Sequence, residues 1–117
     1  MKNSLLVLAL IFLTFNISCK KDPISSRNTA STASFTVNPT IGTTATTFSF
    51  DASGSTDNED ATSALEVRWD WNNDGTWDTN YSTTKTATHQ YADVGTYTIK
   101  LEVKDSDGLT NTISKES

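Results

Sequence analysis

The sequence predicts an all-β protein, an antiparallel β-sandwich of about seven short strands. Two observations support this fold class. From Ala33 onward, apolar residues recur at every second position, which is the period of a strand with one buried face. The alternating segments are separated by clusters of Gly, Asp, Asn and Ser that favour tight turns, such as Asn73-Asp74-Gly75 and Ser106-Asp107-Gly108.

In chain order, the strands are expected near residues 34–38, 46–52, 65–72, 77–80, 84–91, 96–105 and 109–115. The third of these carries Leu65, Val67, Trp69 and Trp71 on one face. The sixth carries Tyr97, Ile99, Leu101 and Val103 on one face. Because alternate side chains of a strand point to the same side, these sets are expected to face each other in the core, with Trp69 at its centre.

The N-terminus has the pattern of an export signal over residues 1–18. Lys2 supplies the positive charge, and the apolar run from Leu5 to Phe15 is shorter than the roughly 20 residues that a spanning helix needs. Cys19 is the only cysteine, so no intrachain disulfide can form. Its position after the apolar run resembles a bacterial lipobox, which predicts lipidation of Cys19 and anchoring at the cell envelope, on the outer membrane. The alternative is an ordinary signal peptide followed by a free thiol.

The remaining chain divides into a polar, flexible tether over residues 19–32 and one sandwich domain over residues 33–117. The formal net charge of −5 argues against nucleic acid as a partner, since binding to phosphates requires clustered Lys and Arg. His89 is the only histidine, and the sequence has neither a Gly-x-Ser-x-Gly nor a His-Glu-x-x-His motif. We therefore expect no catalytic residues.

Three stretches resemble the PKD (polycystic kidney disease) domain family: residues 48–57, 67–75 and 89–105. The resemblance covers about Ser34 to Lys115 and implies an immunoglobulin-like sandwich in an extracellular protein, serving contact or spacing. Tyr97, in Asp93-Val-Gly-Thr-Tyr97, resembles a tyrosine corner, in which the hydroxyl bonds to the backbone across a connection. Asp51 and Asp57 are expected to accept hydrogen bonds from local amides and to hold the turn between them.

One loop has the spacing of a calcium site. Asp70, Asn72, Asp74, Thr76 and Asp78 match the first nine positions of an EF-type loop, and Gly75 would allow its sharp turn. The twelfth position is Tyr81 instead of Glu, so a ligand from elsewhere, such as the turn at residues 57–60, would be needed. The alternative is a polar hairpin turn that binds no ion. No other cofactor is expected, and the acidic turn from Asp105 to Gly108 is a weaker candidate for metal.

Two aromatic residues near the same turn, Trp77 and Tyr81, are candidates for binding a partner by stacking on sugar rings or by anchoring a protein. The alternative is that they cap the sandwich. The sequence therefore predicts a non-catalytic envelope lipoprotein whose domain contacts an extracellular protein or polysaccharide or acts as a spacer. Two alternatives remain: the N-terminal part of a larger secreted hydrolase with an accessory domain, and a structural module stiffened by calcium.

Overall fold

The computed structural model describes residues 27–117, which form two antiparallel sheets of three strands each. The strands are β1 (Thr36–Asn38), β2 (Phe48–Asp51), β3 (Glu66–Asp70), β4 (Thr86–His89), β5 (Thr98–Lys104) and β6 (Thr110–Glu116). The sheet orders are β1-β2-β4 and β3-β5-β6. The predicted fold class, an all-β antiparallel sandwich, is confirmed. The predicted signal, Cys19 and the tether up to residue 26 lie outside the described residues.

The segment near residues 77–80, predicted as a strand, is not a regular strand among the described residues. It lies beside β3 and is held by hydrogen bonds from the Asp78 and Thr79 amides to the Trp69 carbonyl, at 2.8 and 3.3 Å. An isolated bridge between Val67 and Ser82 follows. The segment thus flanks β3, where a seventh strand would pair, but the Trp69 and Trp71 amides donate to the side chains of Thr79 and Asp78 instead of to backbone carbonyls.

The core lies between the two sheets and is rich in aromatic rings. Trp69 on β3 is 2% exposed and packs edge-on against Phe35, with ring centroids 5.3 Å apart. It also contacts Phe50 of β2 at 5.6 Å and stacks on Trp71 at 5.3 Å. Because Trp69 belongs to one sheet and Phe50 to the other, these contacts join the two layers. Aliphatic side chains complete the core: Leu65, Val67, Ile99, Leu101 and Val103.

The strand directions give the sandwich two ends. The N-terminal end carries the chain entry and the turns at residues 53–64 and 105–109. The opposite end, called the distal end below, carries the loops at residues 39–47, 71–79 and 90–97 and the last residue of the chain. In the described part of the chain, no helix has the length and apolar character needed to cross a membrane.

Residues 28–32, which the sequence assigns to the tether, contact the N-terminal end of the domain. The Thr32 and Thr56 backbones exchange two hydrogen bonds, at 2.7 and 3.1 Å. The Asn28 side chain donates to Asp105 Oδ2 at 2.8 Å, and the Thr29 amide donates to Glu59 Oε2 at 3.1 Å. The folded unit therefore begins several residues before the predicted boundary at residue 33.

Candidate functional site

The loop with calcium-like spacing is held by hydrogen bonds to its own amides. Asp70 is 1% exposed, and its Oδ1 accepts from the Asn72 and Asp74 amides at 3.3 and 3.2 Å. Its Oδ2 accepts from the Gly75 amide at 3.0 Å. Gly75 has a φ of 91°, which a residue with a side chain rarely adopts. The buried Asp70 carboxylate therefore organises the loop around itself.

Three of the four remaining predicted ligands also accept hydrogen bonds from backbone amides. Asp74 Oδ1 accepts from the Thr76 amide at 2.8 Å, and Asp78 Oδ2 accepts from the Trp71 amide at 2.7 Å. Asn72 Oδ1 accepts from the Asp74 amide at 3.3 Å. Within residues 27–117, no group of three or more His, Cys, Asp or Glu side chains is arranged to hold a metal ion. Calcium binding at this loop stays a prediction.

The turn at residues 57–60 cannot supply the missing calcium ligand, contrary to the expectation from sequence. Asp60 accepts hydrogen bonds from the Ser106 amide and hydroxyl at 2.8 and 3.0 Å, which places it at the N-terminal end. The 70–78 loop begins where β3 ends, at the distal end. The turn at residues 57–60 and the 70–78 loop are therefore separated by the length of β3, in which each residue adds about 3.3 Å.

Trp77 and Tyr81 lie on the outer face of the β3-β5-β6 sheet, where they pack on cations. The Arg68 guanidinium carbon lies 4.3 Å from the Trp77 ring centroid and 4.4 Å from that of Tyr81. Lys104 adds a contact to Tyr81 at 4.0 Å, and Lys100 adds one to Trp77 at 5.4 Å. Both rings are half-buried, and protein cations occupy part of the ring surface on which a sugar could stack. The arrangement favours a structural role for both rings.

An ion pair fixes Arg68 in this position. Arg68 Nη2 lies 2.6 Å from Glu102 Oε1, and the Tyr81 hydroxyl donates to the same oxygen at 2.6 Å. Burial and the Glu102 carboxylate raise the pKa of Tyr81 to about 12. Burial alone would raise the pKa of Glu102, but the hydrogen bonds from Tyr81 and Arg68 outweigh it and lower that pKa. Glu102 therefore stays ionised beneath the rings.

The aromatic core continues to the distal end through His89. The imidazole stacks on Trp71 with centroids 4.9 Å apart and meets Tyr91 edge-on at 4.6 Å. Burial lowers the pKa of His89, and the nearby Asp78 charge only partly opposes this. The half-buried imidazole thus packs against the edge of the aromatic core.

Two tyrosines close the distal end. Tyr91 is 9% exposed, and its hydroxyl donates to the Trp71 carbonyl at 2.8 Å. Tyr97 stacks on Tyr91 at 3.8 Å, and its hydroxyl donates to the Asp93 carbonyl at 2.7 Å. This is the backbone contact that a tyrosine corner makes. Tyr97 thereby holds the loop at residues 93–97 against the core.

The turn carboxylates at the N-terminal end also bond to local amides. Asp51 Oδ1 accepts from the Ser53 amide at 2.8 Å, and hydrogen bonds from Ser53 lower the pKa of Asp51. Asp57 Oδ2 accepts from the amides of residues 59 and 60. Asp105 is 3% exposed; burial opposes its ionisation, but hydrogen bonds from Asn28 and the turn amides lower its pKa. These side chains hold the turns in place.

A groove of about 280 Å³ opens at the distal end between the loops at residues 39–47 and 90–97. Its lining residues include Thr40, Ile41, Phe48, Asp93, Val94 and Tyr97. The sequence analysis did not identify this groove. Ile41 and Val94 could have indicated it, because they are apolar residues inside polar turns. The strand alternation does not require apolar residues at these two positions. Arg68 was missed as well, since its outward position looked like an ordinary solvent-facing charge.

Comparison with known proteins bears on the whole described domain. The family model of the PKD domain matches residues 28–117. A structure from work on the promiscuous specificity of carbohydrate-binding modules of the β-sandwich superfamily has 33% sequence identity and a TM-score of 0.66. The alignment covers 78% of this chain and 34% of that one, so the chain spans about a third of the length of that relative.

Two single PKD domains are also similar. The PKD1 domain of Vibrio anguillarum Epp is 25% identical, with a TM-score of 0.59 over 78% of this chain and 94% of that one. The PKD1 domain of the Vibrio cholerae metalloprotease PrtV is 21% identical, with a TM-score of 0.57 over 76% of this chain and 95% of that one, and this likeness shows the fold alone. The search of curated proteins found no match.

Proposed function

The chain belongs to the PKD domain family, and we propose that it is a non-catalytic module of the bacterial cell envelope that contacts an extracellular protein or polysaccharide through the distal end of its sandwich. In this proposal Cys19 is lipidated and anchors the chain in the outer membrane. The first described residues contact the N-terminal end of the domain, and the distal loops lie at the opposite end.

The observation that carries the proposal is the groove between the loops at residues 39–47 and 90–97. The core aromatics pack on one another, and the carboxylates of the 70–78 loop bond to amides. The groove, in contrast, keeps exposed apolar side chains beside hydroxyls and one carboxylate, which is the mixed lining typical of a recognition site. The similarity to a structure studied for carbohydrate-binding modules supports binding of a macromolecule but does not identify it.

The contact function is tested with the purified, fluorescently labelled full chain. We expect it to bind a component of a glycan array or of an extracellular protein fraction. The control variant carries two groove substitutions, Ile41→Ser and Val94→Ser, and should bind less of that component. If the labelled chain binds neither glycans nor proteins, the contact function is wrong and a spacer role is left.

The anchor is tested separately by mass spectrometry of the mature N-terminus. Acyl chains on Cys19 would place the chain on a membrane, since more than one chain gives stable anchoring. The matched control is Cys19→Ser, which is expected to be released from the membrane fraction. An unmodified Cys19 in the mature protein would contradict the lipoprotein proposal.

A second candidate is an accessory module of a larger secreted protein. The observation that favours it is the length of the relative studied for carbohydrate-binding modules, of which this chain covers 34%. The length of the natural reading frame distinguishes the two candidates. A frame that continues into a catalytic domain would support the accessory role, and a stop codon directly after Ser117 would exclude it.

A further inference from the structure

The distal groove has two aliphatic side chains at its rim. Ile41 is 83% exposed and Val94 is 82% exposed, and both line the groove. The one other exposed large hydrophobic side chain among residues 27–117 is Leu109, at 43%, in a turn at the opposite end. Burying an aliphatic side chain is favourable by about 1.5–3 kcal/mol, so two of them left in water on facing loops mark a surface that gains by being covered.

The two loops that carry these side chains are held in place. In the first, the Thr43 amide donates to Thr46 Oγ1 at 2.9 Å. A side chain at Gly42 would clash with Thr46, because a Cβ there would lie 2.5 Å from its Oγ1. Gln90 Nε2 donates to the Thr44 carbonyl at 2.6 Å and ties the first loop to the start of the second. A groove with fixed walls loses little conformational entropy when a ligand binds.

The charge of the groove selects among ligands. Asp93 is the one charged side chain among the described residues that line it. The loops at residues 39–47 and 90–97 contain no Lys or Arg, and the whole chain has a formal net charge of −5. A second copy of this chain would bring like charges together, and an anionic polymer would be repelled. A cationic group beside Asp93 is the complementary arrangement.

The apolar part of the groove suits an aliphatic or aromatic side chain better than a sugar ring. A sugar would stack on an open aromatic face. The Tyr97 ring is half-buried, and one of its faces is stacked on Tyr91 at 3.8 Å. The most exposed apolar side chains of the groove are those of Ile41 and Val94, which offer aliphatic contact.

We propose that the distal groove binds an extended protein segment that places one apolar side chain between Ile41 and Val94 and a Lys or Arg beside Asp93. This inference rests on the proposed contact function and identifies its partner as a basic, apolar peptide segment. The cavity of about 280 Å³ lies near the lower limit of ligand sites, about 300 Å³, and so suits one anchoring side chain.

The test uses the labelled full chain in detergent solution and an array of nonapeptides. The central residue of each peptide is Leu, Ile, Phe or Ser, and its two neighbours are Lys, Ser or Glu. We expect binding with a Kd below about 1 mM for apolar centres flanked by Lys, and the weakest binding for centres flanked by Glu. Equal signals for Leu and Ser centres, or no binding to any peptide, would overturn the proposal.

Three variants locate the site. The double variant Ile41→Ser/Val94→Ser is expected to weaken binding about tenfold or more, and Asp93→Asn to remove the preference for Lys over Ser. The matched control, Leu109→Ser, alters an exposed aliphatic residue at the other end and is expected to bind as the parent does. All four side chains are exposed, so unchanged melting curves will show that folding is intact. Unchanged peptide binding by the double variant would refute the assignment.

The same variants separate this inference from the function on which it rests. If the parent chain binds a glycan on the array and the double variant does not, the groove binds a sugar. The contact function is then supported, and the peptide proposal is wrong. Binding to phosphatidylcholine vesicles that depends on Ile41 and Val94 would assign a lipid surface and likewise overturn it. If peptides, glycans, vesicles and the extracellular protein fraction all fail to bind, both proposals are wrong.

Discussion

Replacing Trp69 with alanine tests whether one ring joins the two sheets. Trp69 is 2% exposed, and its ring lies 5.3 Å from that of Phe35 and 5.6 Å from that of Phe50 across the sandwich. Truncating a buried Trp costs about 3–5 kcal/mol, which includes the cavity left behind. Small domains have a free energy of unfolding of about 5–15 kcal/mol, so Trp69→Ala is expected to remove a large part of the stability.

The assay is urea unfolding followed by far-UV circular dichroism, together with thermal melting. The expected loss corresponds to a fall in Tm of about 12–40 °C, at about 4–8 °C per kcal/mol for a domain of this size. Trp77→Ala is the matched control, because it removes the same side chain from the outer face, and we expect it to cost about 1–2 kcal/mol. If Trp69→Ala lowers the free energy of unfolding by less than about 1 kcal/mol, or by no more than Trp77→Ala, the ring does not join the sheets.

Three further predictions concern the rings that pack on cations, the half-buried histidine and the acidic loop. Arg68→Met is expected to destabilise the domain by about 1–3 kcal/mol in urea unfolding, since two ring contacts and an ion pair are lost; Arg68→Lys should restore only part, and full restoration would contradict the stacking role. Burial lowers the pKa of His89 in the folded state below its unfolded-state value of about 6.5. The contribution of the neutral ring to stability is therefore complete above about pH 6.5, and it is lost as pH falls through the folded-state pKa. His89→Gln should flatten the fall in Tm between pH 7 and 5, and an unchanged slope would exclude His89 as its source. If calcium binds the Asp70 loop with a Kd of about 0.1–1 mM, 10 mM calcium should stabilise the domain by about 1.4–2.7 kcal/mol. Asp70→Asn should abolish that gain. If 10 mM calcium leaves the Tm of the parent chain unchanged, the calcium hypothesis is wrong.

The strand alternation predicted the core because it depends on neighbours in the chain. Val67 and Trp69 fall on one face of β3 wherever the strand lies, since successive side chains of a strand point to opposite sides. The same logic placed Ile99, Leu101 and Val103 inward, and all three are fully buried. The predicted strand near residues 77–80 was different. The side chains of Thr79 and Asp78 accept hydrogen bonds from the Trp69 and Trp71 amides, and this competition with backbone pairing is not visible in the period of apolar residues.

The roles of the polar and aromatic residues needed distances. From sequence, Asp70 and Asp78 were equally candidates for an ion and for a turn, and only the structure shows their oxygens accepting from the Gly75 and Trp71 amides. Trp77 and Tyr81 were candidates for stacking on a partner, and only the packed sheet brings Arg68 over both rings.

The sequence alone therefore determined the all-β sandwich, the inward set around Trp69 and the turns, because these follow from side-chain direction and turn chemistry within a few residues. The tertiary structure alone decided which surface is left for a partner. Ile41 and Val94 are far apart in the chain and line one groove because β1, β2, β4 and β5 all end or begin at the distal end. That proximity comes from the packing of two sheets, which no local period encodes.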